Sequence, residues 1–96
     1  MYVYYKCMKF EWDKGKNKSN IRKHGLDFND APLFFESPYL CSEDTRTDYK
    51  EKRFLAIGTI EKRGVVIAFT KRGNKIRIIS IRKANEKEKK KIRNRL

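Results

Sequence analysis

Three runs rich in β-branched residues follow one another almost without a break: "RFLAIGTI" at 53–60, "VVIAFTK" at 65–71 and "KIRIISIR" at 75–82. Only "EKRG" and "RGN" separate them. β-branched side chains pack well on a pleated surface, and connections this short allow only antiparallel neighbours. The stretch therefore reads as a three-stranded meander. Its register follows from the turns. With Gly73-Asn74 as a two-residue turn, Thr70 faces Arg77 and Phe69 faces Ile78. With Lys62-Arg63-Gly64 as a three-residue loop and Gly64 as its bulge residue, Ile57 faces Phe69. One face then carries Leu55, Ile57, Val65, Ile67, Phe69, Ile76 and Ile78, a core. The other carries Ala56, Gly58, Ala68, Thr70, Arg72, Lys75 and Arg77, small in the middle and cationic at one end. That face is either ordinary solvated surface or a shallow platform for a nucleic-acid strand or a partner's helix. A one-residue slip in either turn exchanges the two faces.

A sheet with one apolar face needs a cover. Asp13 suits a helix N-cap, and Gly25 a left-handed stop, so 14–24, "KGKNKSNIRKH", reads as a basic helix with Ile21 as its one aliphatic anchor. A second helix is expected over 29–36, capped by Asn29 or Asp30, with Pro32 in its first turn and Phe28, Ala31, Phe34 and Phe35 on its apolar face. Ser37-Pro38 ends it. Residues 2–12, with Tyr2, Val3, Tyr4, Tyr5, Phe10 and Trp12, read as a first strand rather than a signal peptide. Residues 39–52 read as an edge strand and a loop. Asn85 with Glu88 forms a capping box for a final basic helix. No linker divides the chain, so one domain is expected over 1–96. The expected fold is α+β: two N-terminal helices packed on an antiparallel sheet of about four strands, with a basic C-terminal helix.

Lys and Arg number 25 against 12 Asp and Glu, for a formal charge of +13. Such a field favours polyanions, RNA or DNA above all, and makes binding salt-sensitive. General basicity of the source proteome explains the same count without a ligand. No apolar run reaches the length of a membrane span, so no membrane partner is expected. Cys7 and Cys41 stand in unrelated contexts and read as reduced thiols of a cytoplasmic protein. With no Gly-rich phosphate loop, no metal-ligand spacing and no nucleophile elbow, neither a cofactor nor a metal is expected.

His24 is the sole histidine, between Lys23 and Gly25. A helix C-terminus favours a cationic imidazole, which by itself accounts for it. Histidine also exchanges protons near neutral pH, as RNA cleavage requires at the 2′-hydroxyl and at the leaving 5′-oxygen. Arg53, Arg72, Arg77 and Arg82 fall at strand ends. Their guanidinium forks either keep sheet edges soluble or grip phosphate bidentately. Lys75 and Thr70 stand beside them on the cationic end of the platform. The tail 82–95 is a solvated helix or a binding surface.

The run "FEWDKGKNKSNIRKHGLDFNDA", 10–31, resembles the opening signature of the BrnT toxins: an aromatic-Trp-Asp strand end, a basic helix with Asn20, then Lys-His-Gly and Phe28. "RFLAIGTI", "VVIAFTKRG" and "IRIISIRKANEKEKK" are similar to that family's later blocks, in the same order. The resemblance implies a RelE-like fold and a ribonuclease toxin of a type II toxin–antitoxin system, which stops translation. It implies a BrnA-like antitoxin as partner, with operator DNA reached only through that antitoxin. By position it carries over Lys23, His24, Arg53, Arg72, Arg77 and Arg82. RelE-like nucleases often use a tyrosine near the chain end, but no tyrosine lies beyond Tyr49 here, and Ile92-Arg93 fill the tail. The expectation is a metal-independent endoribonuclease with Lys23, His24, Arg53, Arg77 and Arg82 at the reaction and Arg72, Lys75 and Thr70 on the RNA. The alternatives are a non-catalytic nucleic-acid-binding module or a subunit whose positive face serves an acidic partner.

Overall fold

A computed structural model describes residues 9–46 and 49–96. Residues 2–8 of the strand expected over 2–12, Cys7 among them, and loop residues 47–48 lie outside the described residues.

The first strand, β1 (Lys9–Glu11), leads through Trp12 into α1 (Lys14–His24). Asp13 caps α1 by accepting from the Lys16 N–H at 2.9 Å, and Gly25 ends it in the left-handed region at φ 68°. Ile21 does not anchor this helix, being 40% exposed. Two buried asparagines hold it instead. The Asn17 side chain accepts from the Phe28 N–H at 2.8 Å and donates to Asp27 at 3.0 Å. Asn20 accepts from the Ile81 N–H at 3.2 Å and donates to the carbonyls of Ile81 and Leu26 at 2.8 and 2.9 Å. Its amide thus supplies the hydrogen bonds that a neighbouring strand would give the sheet edge at Ile81.

A 3-10 turn (Phe28–Asp30) opens on Asp27, which accepts from the Asn29 N–H, and Asp30 then stands at the N-cap of the second helix, as expected, though its side chain makes no capping hydrogen bond. The second helix, α2 (Ala31–Glu36), has Pro32 in its first turn and buries Ala31, Phe34 and Phe35. Then come β2 (Leu40–Glu43), β3 (Arg53–Ile60), β4 (Arg63–Arg72), β5 (Lys75–Lys83) and α3 (Glu86–Arg95). The capping box of Asn85 and Glu88 opens α3 as expected.

The sheet has five strands in the order β1-β5-β4-β3-β2. β1 runs parallel to β5 and the other pairs are antiparallel, so the sheet is mixed rather than the four-stranded antiparallel one expected. Parallel pairing needs a long crossover, and here the whole chain between β1 and β5 provides it, which local patterning does not reveal. Phe28, Phe34, Phe35, Ile67, Phe69, Ile76 and Ile81 are fully buried in one core. Edge-to-face contacts join Phe35 to Phe34 and Phe69 at 5.0 and 5.3 Å between centroids.

The hairpin register at Gly73-Asn74 is as read from the turn: Thr70 pairs with Arg77 and Phe69 with Ile78. The β3–β4 register is corrected. The turn there is Glu61-Lys62, both left-handed at φ 50° and 69°, and Ile57 pairs with Val66 rather than Phe69. An odd shift turns a strand over. Ala56, Gly58 and Ile60 therefore face the core, and Leu55 and Ile57 stand on the opposite face with Ala68, Thr70 and Arg77. Gly64 is no turn residue: it is where α3 passes, and a Cβ there would stand 3.1 Å from Ile92 Cδ1. A bulge in β5 adds a second correction. Phe69 pairs with Ile78 but Ala68 with Ser80, leaving Ile79 extra. The skipped position brings Ile81 to the core beside Ile76 and Ile78, and turns Arg82 to the face of Arg77.

α2 crosses β3 at Gly58, where a Cβ would meet Phe34 at 2.8 Å and Tyr39 at 3.1 Å. Gly58→Ala should destabilise the fold by about 1–3 kcal/mol through overpacking. Urea unfolding, read as a lower midpoint at unchanged slope, checks this. No helix among the described residues is long and apolar enough to cross a membrane.

Candidate nucleic-acid interface

Residues paired across a ladder project to the same face. On the face away from the core, the hairpin end of the sheet carries two adjacent rows. One runs Lys9–Lys75–Arg72 across β1, β5 and β4. The next runs Glu11–Arg77–Thr70–Arg53 across β1, β5, β4 and β3. Five of the expected site residues, Arg53, Thr70, Arg72, Lys75 and Arg77, thus meet at one end of one face.

The second row is the more built of the two. Arg77 lies 3.7 Å from the Glu11 carboxylate, each side chain about one-third exposed. Thr70 is buried, and its hydroxyl donates to the Lys52 carbonyl at 2.7 Å, fixing the start of β3 instead of offering itself to a ligand. The Arg53 guanidinium carbon sits 4.0 Å from the centre of the Tyr49 ring. Its Nε is buried and has no hydrogen-bond partner among the described residues. Arg72 makes an exposed pair with Glu51 at 3.3 Å.

Tyr49 is itself held. Its hydroxyl donates to Asp44 at 3.3 Å, and the Asp44 N–H donates to the Arg53 carbonyl at 2.7 Å. Arg46 forks onto both Asp44 oxygens at 2.9 Å. These hydrogen bonds, that of the Arg46 side chain foremost, hold the Asp44 carboxyl at about 2 against its ordinary 3.8. A depressed carboxyl stabilises the fold above its unfolded pKa and loses that contribution as pH falls through the folded one. The Asp44–Tyr49–Arg53 arrangement should therefore be intact at pH 4 and loosen as pH falls from about 4 towards 2. A carboxyl-carbon NMR titration of Asp44 with a midpoint near 3.8 would contradict it.

The other three expected residues stand elsewhere. Arg82 shares the open face but pairs across from Val66, roughly 15 Å along β5 from Arg77 at the usual strand rise. It forks onto Glu88 at 2.8 and 2.9 Å, which raises the guanidinium's pKa and lowers the carboxyl's. Glu88 also accepts from the Asn85 N–H, so Arg82 ties α3 to the sheet. Lys23 and His24 end α1. That helix is pinned at Asn20 to Ile81 and continues alongside β5 away from the Arg77 row. The common pocket expected for Lys23, His24 and the strand-end arginines is not formed.

Glu11, Tyr49 and Lys9 were not singled out from the sequence. Tyr49 carried a signal: it is a lone aromatic in the polar stretch "SEDTRTDYKEK". Glu11 and Lys9 carried none, because their place depends on the parallel pairing of β1 with β5.

The architecture defines a small α+β protein whose open sheet face is cationic at one end and carries a carboxylate within its arginine row. The chain belongs to the BrnT family: residues 12–88 match the family model described as the ribonuclease toxin, BrnT, of type II toxin–antitoxin systems. No curated protein matches the chain.

Proposed function

We propose that this protein is a metal-independent endoribonuclease toxin with a RelE-like fold. It acts in the cytoplasm, stops translation by cutting RNA, and is silenced by a cognate BrnA-like antitoxin, through which alone it reaches operator DNA. The carrying observation is the Arg53 Nε, buried without a partner among the described residues, in the same row as Arg77 with Thr70 between them. A buried donor left unpaired is costly, and a phosphate oxygen would satisfy it.

In this reading Arg53 and Arg77 hold the scissile phosphate and stabilise the charge that builds on it. Lys9, Lys75 and Arg72 hold the next phosphate along the strand. The Glu11 carboxylate takes the 2′-hydroxyl proton as the 2′-oxygen attacks phosphorus. The bond from phosphorus to the 5′-oxygen breaks, and that oxygen takes a proton from water. The products are a 2′,3′-cyclic phosphate and a 5′-hydroxyl end. Arg82 keeps α3 in place. Lys23 and His24 contribute long-range attraction rather than a step.

Purified protein incubated with RNA in EDTA should yield cyclic-phosphate ends, at a rate that falls steeply with salt. Binding without cleavage would leave the non-catalytic module as the better reading, and a strict metal requirement would overturn the chemistry.

A further inference from the structure

At the opposite end of the sheet from the arginine row, a cleft of about 520 Å³ opens between the β3–β4 turn, the end of β5 and α3. Five cations line it, Lys62, Arg63, Lys83, Lys89 and Arg93, and no acidic residue does. Lys89 has Glu86 at 3.6 Å; the other four make no ion pair among the described residues. Between the cations stand the apolar side chains of Leu26, Val65 and Ile92, with Thr59 and Gly64 beside them. No aromatic side chain lines it, so bases would find nothing to stack on. The turn that brings Lys62 to the rim is held in the left-handed region at two successive non-glycine residues, Glu61 and Lys62. Such backbone costs about 1–3 kcal/mol per residue and persists where the surroundings impose it.

We propose that this cleft docks an acidic peptide segment of a partner protein, seated by one bulky apolar side chain. The apolar side chain enters between Leu26, Val65 and Ile92, while carboxylates on either side meet Lys62 and Arg63 at one rim and Lys83 and Arg93 at the other. Charge complementarity of this kind selects the partner and speeds the encounter, and the buried anchor holds it. The cleft lies about five strand positions from the arginine row, roughly 16 Å, so the two surfaces are separable. The inference does not depend on RNA cleavage.

The test is a titration of the intact protein, followed by amide NMR, with a synthetic heptapeptide of glutamates around one central leucine. The amides of Gly64, Val65 and Ile92 should shift while those of Arg53 and Arg77 stay. Serine in place of the leucine should weaken binding at least tenfold, and so should the exposed double change Lys62→Glu with Arg93→Glu. Shifts spread equally over the arginine row, or affinity indifferent to the leucine, would overturn the proposal. So would an oligoadenylate that moves the cleft amides when the peptide does not, which would make the cleft part of an RNA path.

Discussion

Replacing Arg77 with alanine should lower RNA cleavage by about a hundredfold or more, the usual cost of losing one group that stabilises transition-state charge. The change removes one member of the pair proposed to hold the phosphate and leaves the fold standing. Arg77 is 30% exposed, and its contact with Glu11 is long at 3.7 Å, so its pairing contributes little stability. Arg53→Lys should lose a comparable factor although the charge remains, because an ammonium cannot present a fork while lying on the Tyr49 ring. Single-turnover cleavage of a labelled RNA, with thermal unfolding as a control, reads both. Full activity in Arg77→Ala would remove the arginine row from the reaction. Glu11→Gln separates holding from proton transfer: RNA binding should persist while cleavage slows and its pH dependence changes.

Asn20→Ala is expected to cost about 3 kcal/mol, more than any other change at an α1 surface. It strands the Ile81 N–H and the carbonyls of Ile81 and Leu26, all in buried positions. Each buried group left unpaired costs about 1–3 kcal/mol. For a domain this size, that loss corresponds to a fall in Tm of about 15 °C. Asn20→Asp should be no rescue: one oxygen still accepts from Ile81, but the other faces two carbonyls that need a donor. A Tm within a few degrees of the parent in either variant would show that water or a shifted backbone replaces the amide. Ile21, by contrast, should tolerate a polar residue nearly without effect, since it projects into solvent.

The parts legible in the sequence are those set by local geometry. Asp13 and Gly25 bounded α1, Asn85 with Glu88 opened α3, and Gly73-Asn74 set the β4–β5 register, because caps and tight turns act within a few residues. A single glycine disguises the face of β3. Gly64 looked like turn chemistry, yet it makes room for Ile92, a contact with a helix far along the chain. The actual turn uses Glu61 and Lys62, residues with no local signature for left-handed backbone. For the candidate site the outcome is similar. That Arg53, Arg72, Lys75 and Arg77 lie together at one end of one face is legible because a cation at a strand end is visible in one dimension. The wider group is not, because β1 joins β5 in parallel, and because the extra residue at Ile79 changes which side of the sheet the following arginine takes. His24 drew attention as a lone titratable group, but asparagine contacts on its own helix decide where that helix lies.

The row from Glu11 to Arg53 draws on β1, β3, β4 and β5. During synthesis, Glu11 emerges from the ribosome long before Arg77, and neither has its neighbour until the last strand is free to pair on both sides. A chain whose β5 has not yet emerged therefore cannot assemble the row proposed to grip RNA.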